Sequence, residues 1–256
     1  MSILIKDIIN TTEYRIDNGV YYIKDQVKNF YDLPRGQVEN ASNKNTWSNW
    51  RMANYDFFKK ILDTSDKKYL LDLGAGPQQF KDITGRFEVC AVDTFPDTGI
   101  HVVCDLNKEL PFIDNTFDIV FLSNVLEHIY NWQGLLSETH QVLKPGGFIV
   151  GTVPFLMLSH QRPHDYFRYT DICLNKALED AKFVDVDVKP PGSPLNVLRS
   201  MQHKFFGLPK PSLKNRIFKR VFRRIISVVF WLYDHIFDDV EPSSIYTEGY
   251  GFYAKK

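Results

Sequence analysis

The chain alternates between two kinds of hydrophobic pattern from residue 69 to residue 190. Near-continuous apolar runs, such as Phe117-Asp118-Ile119-Val120-Phe121-Leu122, are typical of strands buried on both faces of a sheet. Between them, apolar residues spaced three and four apart predict helices. The predicted strands cover 69–73, 88–93, 101–105, 117–123, 147–153, 183–188 and 250–254, and the predicted helices cover 78–84, 131–143 and 171–181.

This alternation of strands and helices, joined by short connections, predicts an α/β fold with a doubly wound, mostly parallel sheet. Two local signals support the helix boundaries. Thr170 is a suitable N-cap for the helix over 171–181. The run Lys144-Pro145-Gly146-Gly147 ends the helix before it.

The two flanks of the alternating region follow other patterns. Near the N-terminus, Asp17-Asn18-Gly19 predicts a hairpin turn, and a helical stripe runs from Thr46 to Leu62. After residue 190, prolines precede a basic helix predicted over 213–237. We therefore expect one domain over 1–256, divided into an N-terminal helical cap (1–65), a cofactor-binding core (66–190), a basic helical insertion (191–245) and a final strand (246–256).

Composition narrows the function classes only slightly. The 31 basic and 31 acidic residues balance, so the whole chain has no charge preference for nucleic acid. The three cysteines are widely spaced, which predicts buried single thiols, no zinc ribbon or disulfide framework, and a reducing cytoplasm. The first residues do not read as a signal peptide, and the apolar run over 225–233 is too short for a membrane span.

Candidate chemistry begins where two predicted strands end. Tyr69-Leu70-Leu71-Asp72-Leu73 leads into Gly74-Ala75-Gly76, and the next strand ends in Asp93. In a parallel sheet these ends lie side by side, so bare backbone faces a carboxylate that can accept two ribose hydroxyls. Asp105-Leu106, after the third strand, could read an adenine. The turn lacks a third glycine at position 79, a Gly-Lys pair and any Lys or Arg, which argues against a dinucleotide or pyrophosphate ligand.

Five ordered motifs together carry a family resemblance. They are Leu71-Asp72-Leu73-Gly74-Ala75-Gly76, Asp93 with Asp105, Leu110-Pro111-Phe112 through Val120, Asn124-Val125-Leu126-Glu127-His128-Ile129, and Leu143-Lys144-Pro145-Gly146-Gly147. This set resembles the class I S-adenosylmethionine-dependent methyltransferases, in particular the methyltransferase type 11 group. The resemblance implies a Rossmann-like, seven-stranded sheet whose last strand is antiparallel.

The resemblance also implies a cofactor, S-adenosyl-L-methionine, and its product, S-adenosyl-L-homocysteine. Gly74 and Gly76 would pass under the methionine and ribose, Asp93 would bind the ribose, and Asp105 would bind the adenine amine. The expected cofactor-binding residues are Asp72, Gly74, Ala75, Gly76, Asp93, Thr94, Asp105, Leu106, Asn124 and Val125. The family turn often carries a further glycine where this chain has Gln78, which could reshape the methionine end of the pocket.

Methyl transfer from a sulfonium is an in-line displacement, so the chemistry itself requires no metal and no metal site is expected. A base helps if the acceptor is a hydroxyl. The candidate bases are His128, after the fourth strand, and His160 and His164, in the loop after the fifth. For His128 the alternative is simple packing in a turn.

The same loop supplies the candidate substrate-binding residues. Arg162, Asp165, Tyr166 and Arg168 lie within it, and Arg168 could fork onto a carboxylate or phosphate. The alternative is a hydrogen-bonded structural loop. The stretch His160-x-x-Pro163-x-Asp165-Tyr166-x-Arg168-Tyr169-Thr170 resembles one in methyltransferases associated with bacterial surface polysaccharides, which points to a sugar hydroxyl as acceptor.

The basic segment over 213–237 has three interpretations. Its apolar face could pack on the domain or on a second copy in a homo-oligomer, lie on an anionic membrane surface, or help bind RNA. A nucleic-acid partner is the least favoured of these. In the cap, Trp47, Trp50 and Arg51 could close over the cofactor or simply pack.

The sequence therefore predicts methyl transfer to a small or lipid-linked acceptor, with a sugar hydroxyl in glycan biosynthesis favoured. A quinone-type, carboxylate or RNA acceptor stays open, as does a non-catalytic, cofactor-binding partner subunit. The expected location is the cytoplasm, with the 213–237 segment offering contact with the inner face of the membrane.

Overall fold

The computed structural model describes residues 5–26, 44, 47–194, 196–201, 221, 224–225, 228, 232 and 246–256. The strands are β1 (Tyr14–Asp17), β2 (Val20–Ile23), β3 (Tyr69–Leu73), β4 (Glu88–Asp93), β5 (Val102–Val103), β6 (Phe117–Ser123), β7 (Leu143–Pro154), β8 (Val184–Lys189) and β9 (Gly249–Lys255). The helices are α1 (Ile5–Ile8), α2 (Asn49–Leu62), α3 (Lys81–Thr84), α4 (Trp132–Val142) and α5 (Asp171–Asp180), with a 3₁₀ turn at Leu126–His128.

The nine strands form one sheet in the order β1-β2-β5-β4-β3-β6-β7-β9-β8. The central strands from β2 to β7 pair in parallel, whereas β9 runs antiparallel to both β7 and β8. This confirms the predicted α/β fold, with its mostly parallel sheet and antiparallel last strand. Seven of the strands match the predicted set, and the N-terminal hairpin adds two more at one edge.

Helices cover both faces of the sheet, as expected for strands with continuous apolar runs. On one face, Leu71 and Leu73 of β3 join a core cluster that includes Leu135 of α4 and Leu174 of α5. On the other face, Leu70 joins a cluster formed with residues of α2 and with Ile83 of α3. Adjacent residues of β3 therefore anchor opposite layers, which makes the fold doubly wound.

The N-terminal segment contains both the hairpin and the helix that the sequence predicted. The expected hairpin turn forms at Asn18 and Gly19, which have φ angles of 49° and 80°. Such positive values suit Asn-Gly in a two-residue hairpin. The hairpin strand β2 pairs with β5, and Tyr21 N donates to His101 O at 2.9 Å. The segment therefore extends the sheet as well as contributing the helix α2.

Helix boundaries follow their capping residues. Ser48 caps α2 by accepting from Arg51 N at 3.2 Å, and Thr170 caps α5 as predicted by accepting from Cys173 N at 3.1 Å. Two predicted elements are shorter than expected: the helix over 78–84 is confined to α3, and the strand over 101–105 to β5. Cys90 and Cys104 are buried as predicted, but Cys173 is exposed.

The basic segment predicted over 213–237 lies outside the described residues except at five positions. These positions, Val221, Arg224, Ile225, Val228 and Leu232, are helical and exposed. Among the described residues, no helix combines the length and the apolar character that crossing a bilayer demands.

Candidate functional site

The candidate site lies at the carboxyl edge of the central strands β4, β3 and β6, which are neighbours in the sheet. Ligands bind at this edge in open α/β sheets. The turn after β3 is fixed to the next strand, because Gly74 N and Ala75 N both donate to Val92 O, at 2.9 and 3.0 Å. The two strand ends therefore meet as the sequence predicted.

The glycines of this turn serve different purposes. Gly74 has a φ of +70°, and a Cβ there would lie 2.6 Å from Val125 Cγ2, so Val125 packs on its bare backbone. Gly76 has a φ of +49°, and no atom of the described residues lies within 4 Å of the position that a Cβ would take. Gly76 is thus the point where a ligand can approach the backbone closely.

Gln78 occupies the position where the resembled family often has glycine. Its φ is 51°, the left-handed region that glycine adopts most easily. Its side chain reaches across the turn, and Gln78 Nε2 donates to Gly99 O at 2.9 Å. The backbone path of a glycine is therefore kept, and the amide fastens the turn to the loop after β4.

Asp93 joins the turn to the end of β4. Its carboxylate accepts from Gly76 N at 2.8 Å and from Phe95 N at 3.0 Å, one bond to each oxygen. Burial raises the pKa of Asp93, and these backbone donors oppose that shift. Because each carboxylate oxygen can accept twice, Asp93 keeps capacity for a vicinal diol. Thr94, next in the chain, is half-buried.

Asp72 is the one buried carboxyl of β3. Burial, with Asp93 nearby, raises the pKa of Asp72 to about 7. Its side chain therefore changes charge near neutral pH, beside the turn that holds Gly76. A cationic ligand group in this position would favour the ionised form of Asp72.

The third predicted contact, Asp105-Leu106, is arranged differently from the first two. Asp105 Oδ1 accepts from Asn107 N at 3.0 Å and from Asn107 Nδ2 at 3.1 Å, so one of its oxygens shapes its own loop. Leu106 is buried in the main core cluster. Asp105 stays half-buried at the sheet edge.

Asn124, at the end of β6, connects the sheet edge to α2. Its φ is 55°, its N donates to Thr152 O at 2.9 Å, and its Oδ1 accepts from Trp50 Nε1 at 3.0 Å. The predicted approach of the cap to the cofactor edge is therefore made by Trp50. The sequence suggested Trp50 only as one of three cap residues, because a contact across 74 positions leaves no periodic signal.

A second group of polar side chains follows Asn124 and Val125. The 3₁₀ turn at Leu126–His128 carries Glu127, whose side chain is fully buried. Neither carboxylate oxygen meets a hydrogen-bond partner on another residue in the described part of the chain. Burial raises the pKa of Glu127 to about 8. Sequence reasoning did not assign Glu127, because a Glu-His pair after a strand does not reveal which side chain is buried.

Two of the predicted bases face this carboxylate. His128 Nε2 lies 3.6 Å, and His160 Nε2 3.8 Å, from Glu127 Oε1. We call Glu127, His128 and His160 the Glu-His-His cluster. The ring centroids of the two histidines are 4.9 Å apart.

The Nδ1 atoms of both histidines point to carbonyl oxygens. His128 Nδ1 lies 2.7 Å from His164 O, and His160 Nδ1 lies 3.3 Å from Leu158 O. A carbonyl oxygen only accepts, so each Nδ1 carries the hydrogen and each Nε2 presents a lone pair to Glu127. Burial lowers the pKa of His128, which favours this neutral form.

Asp165 and Arg168, two residues predicted to bind substrate, form an ion pair with each other. Arg168 Nη1 and Nη2 donate to Asp165 Oδ1 and Oδ2 at 2.5 and 2.8 Å. This pair holds the pKa of Asp165 well below its usual range, and Asp165 Oδ2 also accepts from His160 N at 2.8 Å. Arg168 and Asp165 therefore brace the loop that positions His160, and their contact with a substrate stays a prediction.

The other predicted loop residues are more accessible. Arg162 and Tyr166 are exposed, and Tyr166 OH hydrogen-bonds with His164 Nδ1 at 2.8 Å. The structure brings His164 to His128 through its backbone carbonyl, and its ring stays outside the Glu-His-His cluster. Arg162 and Tyr166 remain predicted substrate contacts.

Comparison with known proteins matches this part of the chain. Residues 71–151 match the family model described as "Methyltransferase domain". The chain is 41% identical over 70 residues to a ubiquinone/menaquinone biosynthesis C-methyltransferase of Desulfotalea psychrophila, covering 26% of this chain and 28% of that protein. It is 31% identical over 121 residues to a demethylmenaquinone methyltransferase of Staphylococcus epidermidis, covering 46% and 45%. The matches thus span less than half of these two relatives.

Solved structures share the fold at low sequence identity. A SAM-dependent methyltransferase from Archaeoglobus fulgidus has a TM-score of 0.50 at 20% identity, with 80% of this chain and 94% of that chain covered. The [4+2]-cyclase SpnF has a TM-score of 0.51 at 15% identity, with 84% and 85% covered. The cyclase shows that this fold by itself does not fix the reaction.

The residues at the carboxyl edge suit the cofactor of the matched family. The turn offers bare backbone at Gly76 without a cation for a pyrophosphate, and Asp93 offers acceptors for a ribose. The match of residues 71–151 to a methyltransferase domain therefore confirms the predicted resemblance to the class I S-adenosylmethionine-dependent methyltransferases, in particular the methyltransferase type 11 group.

Proposed function

We propose that this protein transfers the methyl group of S-adenosyl-L-methionine to a hydroxyl group of a small or lipid-linked sugar acceptor in glycan biosynthesis. The observation that carries the choice of a hydroxyl is the Glu-His-His cluster. His128 Nε2 lies one turn beyond Asn124 and Val125, at the end of β6 where the resemblance locates the methyl group, and the loop after β7 brings His160 Nε2 to the same carboxylate. An alcohol needs such help, because it is almost entirely protonated at neutral pH.

The cofactor would be held by the turn and the two strand ends beside it. Gly74, Ala75 and Gly76 would lie under the methionine and ribose, Asp93 with Thr94 would bind the ribose hydroxyls, and Asp105 with Leu106 would face the adenine. Asp72 would balance a positive charge of the cofactor. Asn124 and Val125 would border the methyl group, with Trp50 closing the site from α2.

In the transfer, the acceptor oxygen attacks the methyl carbon as the carbon–sulfur bond breaks and sulfur keeps the bonding electrons. The hydroxyl proton passes to the Glu-His-His cluster, with His128 Nε2 best prepared to receive it because His128 Nδ1–H is already held by His164 O. Alignment of the oxygen behind the methyl carbon contributes a large part of the rate. Arg162 and Tyr166, exposed in the loop that carries His160, would contact the sugar.

A quinone-type acceptor is the second candidate, because the two curated relatives named above act in ubiquinone or menaquinone biosynthesis. Methylation would then occur on a ring carbon rather than on oxygen. An aromatic ring would need a flat apolar slot, whereas the Glu-His-His cluster is polar. This difference favours the hydroxyl acceptor.

A lipid-linked acceptor would give the basic segment a purpose. Between Val188 and Tyr233 the sequence has no acidic residue, and apolar side chains recur at helical spacing. Such a helix would lie on an anionic membrane surface and hold the protein at the inner face of the membrane. Sedimentation with anionic liposomes at low salt tests this, and absence of binding would remove it.

The acceptor is tested by measuring release of S-adenosyl-L-homocysteine with four acceptor groups: nucleotide sugars, lipid-linked glycans, quinols and tRNA. The proposal expects turnover with a sugar acceptor and a methyl ether in the product. Turnover with quinols alone, giving a ring C-methyl product, would replace it with the second candidate. Cofactor binding without turnover on any acceptor would support the non-catalytic partner subunit instead.

A further inference from the structure

We propose that Glu127, His128 and His160 form a binding site for one divalent transition-metal ion, such as Zn²⁺. The proposed site depends on the chemistry and geometry of these three side chains. Only the role given to the ion below rests on the proposed hydroxyl acceptor.

The three side chains direct their electron-pair-donating atoms towards one another. Two Nε2 lone pairs and a carboxylate converge, with ligand atoms from all three residues lying within 4.8 Å of one another. With the histidine hydrogens on the Nδ1 atoms and Glu127 ionised, as it would be when it binds a cation, no hydrogen lies between the nitrogens and the carboxylate oxygen. A cation is what such an arrangement of electron pairs can bind.

The carboxylate of Glu127 is buried without hydrogen-bond partners on other residues in the part of the chain that the structure describes. Both oxygens of Glu127 are inaccessible to solvent and lack a hydrogen-bond partner on another described residue, and His128 Nε2 is likewise buried without one. Leaving such atoms without partners destabilises a fold by about 1–3 kcal/mol each, and more for charged groups. Metal coordination would satisfy all of them at once.

Distances agree with a small transition metal. Two ligand atoms about 2.1 Å from a tetrahedral zinc ion lie about 3.4 Å apart. The Glu127 oxygen lies 3.6 Å from one nitrogen and 3.8 Å from the other, so small side-chain movements would close the site. Two imidazoles with one carboxylate suit Zn²⁺ and its neighbours, whereas Mg²⁺ and Ca²⁺ prefer oxygen ligands.

The surroundings resemble the outer shell of a metal site. Ligating histidines usually donate their second ring N–H to a carbonyl or carboxylate. His128 does so to His164 O, and His160 Nδ1 lies near Leu158 O with Asp165 Oδ2 at 3.7 Å. The Asp165–Arg168 pair is neutral as a unit, so an ionised Glu127 leaves an uncompensated negative charge that a cation would balance.

Three protein ligands leave coordination positions open, and His160, whose side chain is 37% exposed, marks the accessible side. An acceptor hydroxyl bound there would lose its proton to water more easily, because a metal ion lowers the pKa of a bound oxygen acid. The ion would then replace His128 Nε2 in preparing the acceptor.

The test uses the full chain, freed of metal by a chelator and titrated with Co²⁺ or Zn²⁺ alone. We expect one equivalent of Co²⁺ to give visible absorption bands of a nitrogen- and oxygen-ligated ion, and Zn²⁺ to displace it. His160→Gln should weaken binding by at least 100-fold, and Glu127→Gln should do the same. His140→Gln, a histidine packed on Phe183 outside the cluster, is the matched control and should bind like wild type.

His160 is partly exposed, so His160→Gln keeps the proposal testable if Glu127→Gln does not fold. Binding of S-adenosyl-L-homocysteine by each variant serves as the folding check. Absence of stoichiometric binding, or equal binding by wild type and His160→Gln, would overturn the metal site. Either result would leave the proposed methyl transfer standing. Turnover by the metal-free protein would then show that the histidines act without an ion.

Discussion

The cofactor half of the site (the turn over 74–78, with Asp93) and the acceptor half (the Glu-His-His cluster) share one sheet edge but treat their carboxylates differently. Asp93 accepts two backbone hydrogen bonds, from Gly76 and Phe95. Glu127 is more deeply buried and accepts none from another described residue. The cofactor half is thus organised in advance, whereas the acceptor half requires a proton, an ion or a substrate to complete it.

This difference assigns distinct effects to substitutions on the two sides. Changes in the acceptor half should reduce turnover while leaving cofactor binding intact. Changes in the cofactor half should act on binding and stability.

His128→Asn should lower kcat by about 10²–10⁴-fold, the range that a lost acid–base group costs. Binding of S-adenosyl-L-homocysteine should stay within a factor of two of wild type, because the ring lies beyond Val125. Turnover is measured as release of S-adenosyl-L-homocysteine, with whichever of the four acceptor groups gives the highest rate. Equal losses in turnover and cofactor binding would contradict the separation of the two halves.

Asp72 lies on β3, just before the turn of the cofactor half, and its pKa is raised to about 7 by burial and by Asp93. A carboxyl whose pKa is higher in the folded state stabilises the fold below its unfolded pKa of about 3.9 and loses that contribution as pH rises to about 7. The free energy of unfolding should therefore fall over this window by up to about 4 kcal/mol. Asp72→Asn should remove that share of the decline.

Urea unfolding of wild type and Asp72→Asn at pH 5, 6 and 7 measures this effect. Comparing the two proteins cancels other buried carboxyls that titrate in the same range. Asp180→Asn, at an exposed position on α5, is the matched control and should keep the wild-type slope. Parallel slopes for Asp72→Asn and wild type would mean that Asp72 is not protonated on folding.

Asp93→Ala should weaken binding of S-adenosyl-L-homocysteine at least tenfold. It removes the acceptor of two backbone hydrogen bonds together with the proposed ribose contact, and charge-assisted bonds contribute about 1.5–3 kcal/mol each. Equilibrium dialysis with labelled cofactor measures the loss. Asp93→Asn keeps the shape without the charge and should fall between Ala and wild type; unchanged binding in Asp93→Ala would remove the ribose contact.

Trp50→Phe should have the smallest effect. It removes the bond from Trp50 Nε1 to Asn124 Oδ1, worth about 1 kcal/mol, so the KM for S-adenosyl-L-methionine should rise about fivefold. Trp47→Phe makes the same change in size at a residue whose Nε1 has no hydrogen-bond partner among described residues, and serves as control. Equal effects of the two substitutions would show that only packing matters.

The sequence predicts best where one local pattern determines the structure. Continuous apolar runs identify β3 and β6, and the Thr170 cap marks the start of α5. Parallel pairing then brings the strand ends together, so the approach of Asp93 to Gly76 was predictable. The short length of β5 was not predictable, because His101 and Asp105, at the two ends of the predicted strand, are polar residues that a strand can include.

The acceptor half was only partly predictable for a related reason. The polar loop over 159–170 was recognisable from its composition. Which of its side chains pair with one another depends on the path of the backbone, which the composition does not give. Arg168 pairs with Asp165, and Glu127 is the buried centre of the cluster. Burial of a single charged residue in a 3₁₀ turn leaves no periodic trace in the sequence.

Isothermal calorimetry of the folded full chain with S-adenosyl-L-methionine and with S-adenosyl-L-homocysteine tests whether the glycine turn and Asp93 form the cofactor site. The organised glycine turn and Asp93 predict saturable binding of both compounds at one site per chain, without acceptor or added metal. Well-folded protein that gives no heat with either compound would contradict the account.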